Sequence, residues 1–580
     1  MAEMKSNNIL SEDFKDIINH GKNIWRRKPS MRDLLLWLVI VGMTYLMLAF
    51  FITGRVKLSH PKPSQRKFSA RMRDERNIDS NAPAKLPIVT SPATTSNPTV
   101  ARKSFFYIQY PKASYNVCDR LAIYIEVRDG NNKTKTRGGD FMWPYLQTVS
   151  LRASTPADKV IDHGNGSYTA LFTLHWAGEI EPFVRLVLSS EEAYFVRSIR
   201  DRIPYRFAYD AKFTDGKTSE VTPCHITKDM YVDKAAKGLL FVKKAEVCDF
   251  SDPRTGSTWY CLKPKSLSCS HRSNHRGSPE RGNSYLQQAL LHKKVSLAKP
   301  EMLKNTGNVR TVKVMSKVSD SACLDLPHCN PGLPPKRADH SAGYYFKDLW
   351  KSKVCLASEL QLKETIECLR NKHLFFIGDS TIRQWFWYLV SHTGQTMKEH
   401  ITSTEAGVRR VYGHAFDNAH NITLDFRFHD YPLIGDWIST SVIYSAVDLI
   451  DSLPGGRDTV LGFTMCAHFT FTNLTYYLSR LEPIRDAIVR LQTRGTGKAT
   501  VIIKSANTGT LQVTPVNTEL LCYDLDLTMR AFFREVPNVT IIDVWDMTLS
   551  HRGGYNIHPS KLVVGEEVNL FLNFVCSKRA

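Results

Sequence analysis

Residues 375–389 read FFIGDSTIRQWFWYL. Phe375-Phe376-Ile377 has the composition of a buried strand, Gly378 permits a tight turn, and a helical pattern runs from Thr381 to Ser391. A strand that passes straight into a helix puts Ser380 at the carboxyl edge of a sheet, beside free amides and a dipole that favour negative charge. That is a suitable place for a nucleophilic serine and the oxyanion it creates. The plainer reading is that Asp379 or Ser380 only caps the helix.

The residues around this stretch repeat its logic. KHLFFIG, DTVLGFTM, ATVIIKSA and NVTIIDVWD are short apolar runs of the kind that form a parallel sheet covered on both faces. Leu474 to Leu491 reads as a helix despite Pro483, and Leu521, Leu525, Met529, Phe532 and Phe533 mark another helical face. An α/β domain with a parallel sheet is therefore expected over 345–580. A serine nucleophile needs a base, and DVWDMTLSHRGGYNIHPS (543–560) offers His558, with His551 as competitor. Either is equally readable as a surface histidine. Asp543 and Asp546 lie at a strand end, where they can orient an imidazole. Asn507 ends another strand, and its amide can donate to an oxyanion. Arg383, one turn into the helix, is suited to an acidic sugar or a donor phosphate, or to pairing with a surface acid.

Upstream, residues 105–230 hold short runs rich in β-branched and aromatic residues, such as LAIYIEVRD and SYTALFTLHW, separated by turns such as DHGNGS. Their spacing predicts an Ig-like β-sandwich with no catalytic cluster. Residues 231–344 are a cysteine-containing connecting region. Its cysteines form no CxxC pair, so disulfides are expected rather than a metal site.

Residues 34–53, LLLWLVIVGMTYLMLAFFIT, are twenty residues without a charge, which predicts a single transmembrane signal-anchor after a cytosolic tail at 1–33. Cleavage near Gly54 would instead yield a secreted protein. Flanking charge does not set the orientation, since six Lys or Arg lie in the twenty residues before the run and seven in the twenty after it. All twelve cysteines and five sequons, at Asn132, Asn165, Asn421, Asn473 and Asn538, follow the run, so the body is expected in an oxidising lumen. Of 580 residues, 42% are hydrophobic, which argues against a disordered, collagenous or multi-span chain. The net charge of +21 sits partly in the stem 54–104, where eleven Lys or Arg face three acids among Pro, Ser and Thr. A solvated spacer is expected there and no nucleic-acid partner.

GDS near the start of an α/β domain, Asn507 after a middle strand and a late His558 resemble the SGNH or GDSL hydrolases. GYYFKDLWKSKVC, FFIGDSTIRQWFWYL and DVWDMT look more specifically like the neurexophilin and PC-esterase domain (NXPE) family, and CDRLAIYIEVRDG and DHGNGSYTALFTLHWAGEIEPFVRLVLSSEEA look like its first module. The resemblance covers roughly residues 100–580. It implies an SGNH-like α/β domain with Ser380 as nucleophile, His558 as base, and Asn507 with the Ser380 amide as oxyanion donors. It also implies a Golgi-luminal, type II O-acetyltransferase or acetylesterase acting on a glycan or glycoprotein, with no bound cofactor and, for a transferase, an acyl donor such as acetyl-CoA.

Two positions depart from the pattern. Tyr555 stands where an acid is expected three residues before His558, so Asp546 or Asp543 has to substitute or the site is a Ser-His dyad. Cys466, in FTMCAHF, stands where a Gly is expected to offer a backbone donor, and His468 beside it is expected to shape the fold. The alternative implied by the same resemblance is an inactive, neurexophilin-like binding protein with a neurexin-like extracellular partner.

Overall fold

The segment Arg120–Glu126 alternates exposed or half-exposed residues with the buried Leu121, Ile123 and Ile125, as a strand covered on one face must. It lies at the centre of a five-stranded sheet, ordered Lys304–Asn305, Phe105–Ile108, Arg120–Glu126, Ser167–Thr173, Lys159–Asp162. A second sheet faces it across one shared apolar core that includes Phe106, Ile123, Phe172, Leu146 and Val184. That sheet runs Tyr115–Asn116, Val312–Met315, Gly178–Leu188, Phe141–Thr148, Ala153–Pro156, Gly343–Phe346, Leu349–Ser352, with Glu301–Met302 paired to Gly178–Leu188.

The computed structural model describes residues 97–202, 208–234, 238–242, 246–278, 297–316, 323–333, 340–394, 396–400, 407–509, 519–551, 553 and 556–577. The expected cytosolic tail, the apolar run 34–53 and nearly all of the stem lie outside them, as does Tyr555. All described residues fall in one unit, Pro83–Ala580.

The expected fold class needs correction on three counts. Among the described residues no helix is long and apolar enough to cross a membrane, so none of them supplies the expected membrane helix or membrane partnership through it; the run 34–53 itself lies outside those residues. The β part is not one Ig-like sandwich. Strands from 301–315 and 343–352 complete its two sheets, and a third sheet stands beside them. That third sheet runs Val247–Asp249, Tyr260–Leu262, Ser219–His225, Ala208–Thr214, Arg272–Ser278, Gly435–Ser439, and so takes its last strand from the C-terminal region.

The C-terminal sheet is mixed rather than parallel. Its order is Lys398–Glu399, Tyr412–Asp417, Ile422–Phe428, His373–Gly378, Thr459–Phe463, Thr500–Lys504, Val539–Ile542. The last five run parallel, while Lys398–Glu399 and Tyr412–Asp417 add an antiparallel edge. The helix Ser380–His392 turns Ile382, Trp385, Phe386 and Leu389 onto the sheet at helical spacing. These fully buried side chains contribute roughly 2 kcal/mol each. The terminal helix Lys561–Val575 packs beside it, with Phe571 against both Trp385 and Phe376.

Five disulfides staple the body: Cys118–Cys323, Cys224–Cys261, Cys248–Cys269, Cys329–Cys355 and Cys368–Cys576. The remaining two cysteines, Cys466 and Cys522, are reduced and buried. Ten paired cysteines are the mark of an oxidising, secretory environment.

Candidate active site

His373–Gly378 is the strand from which the chain departs toward both edges of its sheet, with Ile422–Phe428 on one side and Thr459–Phe463 on the other. A crevice forms at the carboxyl end of such a strand. Gly378 makes the exit possible, since a Cβ there would stand 2.2 Å from the Thr464 carbonyl oxygen. Asp379 then caps the helix. Its buried Oδ1 accepts from the Thr381 amide (2.9 Å) and hydroxyl (2.7 Å), and its Oδ2 from the amides of Ala467 (3.0 Å) and Cys466 (3.4 Å). Burial alone would raise the Asp379 pKa, but His468, these hydrogen bonds and Lys504 outweigh it and hold the carboxyl below its ordinary range. Asp379 therefore takes the capping role. The Cys466 amide, at the position where a Gly donor is expected, is directed at that cap.

Ser380, half-buried, opens the helix, and its amide has no intrahelical acceptor. His558 Nε2 lies 2.6 Å from Ser380 Oγ. With Nε2 as acceptor, the hydroxyl donates and the ring proton sits on Nδ1. The His558 pKa is lowered, first by the packing around the ring and then by the positive charges of Arg383 and Lys504, with Asp379 opposing them. The imidazole is thus neutral at pH 7, the state a general base requires.

The loop carrying His558 is held through its backbone. The His558 amide donates to Asn556 Oδ1 (3.0 Å), and the Ile557 carbonyl accepts from Asn507 Nδ2 (2.9 Å). Asn507 is almost fully buried, and one proton of its Nδ2 remains for a further acceptor beside the dyad.

The structure commits both aspartates to other partners. Asp543 pairs with Arg530, and Asp546 Oδ2 accepts from the Ala342 amide at 2.7 Å. Among the described residues no carboxylate hydrogen-bonds to the His558 ring. His551 packs edge-on against Tyr345 and accepts from the Gly553 amide. Arg383 donates to the Arg410 carbonyl (2.7 Å), not to an acid, and lies over the Phe428 ring.

Three residues of the site carried weak sequence signals. His429 Nδ1 lies 2.6 Å from the Asp430 carbonyl and can only donate to it. His429 Nε2 is then an acceptor for His468 Nδ1 at 3.1 Å, which leaves His468 Nε2 as a bare acceptor. Burial keeps both rings neutral, with the His429 pKa down to about 4 and that of His468 likewise lowered. Burial is the first cause of the lowered His468 pKa, with His429, Arg383 and His558 acting in the same direction and Asp379 opposing them. Lys504, a lone charge in VIIKS, and Glu567, an acid between the apolar residues of the terminal helix, are both wholly buried. A charge inside an otherwise apolar run was the available signal.

Of the sequons, Asn132, Asn421 and Asn538 sit at exposed, positive-φ turns, and Asn165 is exposed as well. Asn473 is half-buried, and its Oδ1 caps the helix Leu474–Leu491 by accepting from the Tyr476 amide at 2.8 Å.

Two family models match. Residues 350–576 fit the C-terminal domain described as NXPE family member 4-like, and residues 82–279 fit neurexophilin. Among solved structures, the chain shows a slight similarity to the crystal structure of invasin, a bacterial integrin-binding protein. Identity is 11%, over 57% of this chain and 60% of that one, with a TM-score of 0.13. A likeness of that size carries no argument.

Proposed function

The chain belongs to the NXPE family, and from that premise we propose that it is a serine-dependent acyl-transfer enzyme of the secretory pathway that adds or removes O-acetyl groups on glycans. The observation that carries this reading is the contact of His558 Nε2 with Ser380 Oγ at 2.6 Å, at the carboxyl end of the central strand.

Ser380 Oγ attacks the acyl carbonyl carbon while His558 Nε2 takes the hydroxyl proton. The oxyanion formed has the Ser380 amide and the free Asn507 amide proton as donors. Removing a donor of this kind typically raises a barrier by about 3 kcal/mol. Collapse expels the donor's alcohol or thiol, which leaves with the proton held by His558, and an acyl-serine remains. An incoming hydroxyl then gives its proton to His558 and takes the acyl group, and Ser380 Oγ leaves with the proton returned by His558. If that hydroxyl belongs to a glycan and the donor is a thioester such as acetyl-CoA, the enzyme is a transferase. If it is water, the enzyme is an esterase.

The test is O-acetyl content of secreted and cell-surface glycans, by mass spectrometry, in cells expressing wild type or Ser380→Ala at matched levels. A gain with wild type that the variant lacks identifies a transferase, and a loss identifies an esterase. Equal glycans from both, across all glycan classes, would refute the reading.

A further inference from the structure

The strand Thr500–Lys504 is buried along nearly its whole length, and it ends in a lysine with no exposed surface. Burying an ammonium is expensive unless it is paired and hydrogen-bonded. Lys504 Nζ lies 2.5 Å from Asn507 Oδ1, 3.3 Å from the Ser505 carbonyl and 3.8 Å from Glu567 Oε2. Glu567 Oε2 also accepts from Trp385 Nε1 at 2.7 Å. Trp385 lies on the helix that Ser380 opens, and Glu567 on the terminal helix.

This arrangement dictates the orientation of one amide. An ammonium has donors and no acceptor, so the atom of Asn507 facing it must be the carbonyl oxygen. The Asn507 NH2 group then points the other way, where one N–H meets the Ile557 carbonyl. With the amide reversed, two donors would face each other across a buried contact and the Ile557 carbonyl would lose its partner. The chain Glu567–Lys504–Asn507–Ile557 thus runs from the terminal helix to the loop of His558.

We propose that Lys504 is a positioning residue of this site, fixing the Asn507 amide so that its N–H groups face the His558 loop and the reacting carbonyl. The inference rests on the acyl-transfer reading. It adds a residue that acts through Asn507 and touches neither substrate nor Ser380. Its charge is also among the influences that lower the His558 pKa, so its removal has a signature that a packing defect lacks.

The experiment is the rate of Ser380 modification by a fluorophosphonate probe, followed against pH, in the full chain. Lys504→Met keeps the length of the side chain and removes the charge. The double variant Lys504→Met with Glu567→Gln removes both buried charges together and guards against a folding failure of the single change. Secretion and thermal unfolding report whether each variant is folded. The expected result is a labelling rate about 100-fold lower, the size of a misplaced reacting group. The acid-side midpoint of the profile should also move to higher pH, because His558 no longer faces that cation. A labelled wild type with unchanged variant rates and midpoints overturns the role of Lys504 alone. A wild type that resists labelling overturns the acyl-transfer reading and the positioning role with it.

Discussion

Asp379→Asn tests whether the cap, and not the serine beside it, is what holds the turn together. The wild-type carboxylate accepts four hydrogen bonds, two at Oδ1 from Thr381 and two at Oδ2 from Ala467 and Cys466. An asparagine offers one oxygen. If that oxygen keeps Thr381, its NH2 group faces the Ala467 and Cys466 amides. The 3.4 Å bond is weak and the 3.0 Å bond is not, so one good buried bond is lost outright, at about 2 kcal/mol. The two bonds retained lose their charge assistance, and relief from burying a charge offsets part of that, leaving a net of about 2–3 kcal/mol. Urea unfolding at pH 7 measures it. The pH dependence has a definite sign. The folded Asp379 pKa lies below its unfolded value, so its stabilisation is complete above about pH 4 and is lost as pH falls through the folded value. The gap between wild type and variant should therefore narrow on acidification. Asp379 also raises the His558 pKa, so its loss should move the acid limb of the labelling profile to lower pH, opposite to Lys504→Met. Equal stability at pH 7, or a gap that stays constant down to acid pH, would refute the reasoning.

Gly378→Ala forces a Cβ to 2.2 Å from the Thr464 carbonyl oxygen, so the turn must move. A loss of about 2 kcal/mol, by urea unfolding, should accompany loss of Ser380 labelling. Cys368 and Cys576 are 208 residues apart, and replacing both by serine should cost about 5 kcal/mol of unfolding free energy under the chain-entropy account. Asn473→Ala should cost about 1 kcal/mol in chains stripped of glycans, because its side chain caps a helix whether or not it carries a sugar. Asn132→Ala, at an exposed turn, should be close to neutral in the same assay.

The legible parts of this fold are those with a local signal. The run KHLFFIG becomes the strand His373–Gly378, ATVIIKSA becomes Thr500–Lys504, and Leu474–Leu491 is a helix. Short apolar runs and a 3.6-residue stripe are readable one segment at a time. The antiparallel edge was not readable in this way. Lys398–Glu399 has two residues and no period, and Tyr412–Asp417 buries Gly413, Ala415 and Asp417 while leaving the larger Tyr412, His414 and Phe416 half-exposed, so it lacks the apolar stripe of a covered strand. The same holds for Lys304–Asn305, which joins its sheet only because Phe105–Ile108 waits some two hundred residues upstream. In the site, Ser380, His558 and Asn507 stand at strand and loop ends, where a residue type hints at its task. What Asp543 and Asp546 do depends on Arg530 and Ala342, and no spacing reveals such partners.

A serine–histidine pair with no carboxylate bonded to the ring among the described residues raises the question of what replaces the acid. In a triad the carboxylate does two things: it fixes the imidazole, and it stabilises the imidazolium that forms. Here the first task falls to the backbone of the His558 loop, pinned by Asn556 on one side and Asn507 on the other. For the second, the negative group acting on His558 is Asp379, held ionised under the helix N-terminus, while Arg383 and Lys504 act against it. The balance lowers the His558 pKa, so the base is unprotonated without help, but its protonated form gains less than it would in a triad. Such a base is free at neutral pH, and once protonated it holds the proton weakly. That favours prompt return of the proton to a leaving alcohol or thiol, which is the step acyl transfer between oxygen or sulfur nucleophiles requires. Cleavage of an amide, whose less electrophilic carbonyl calls for fuller removal of the Ser380 proton than this weakened base provides, fits the arrangement less well. An ester or thioester should therefore acylate Ser380, and the matching amide should not.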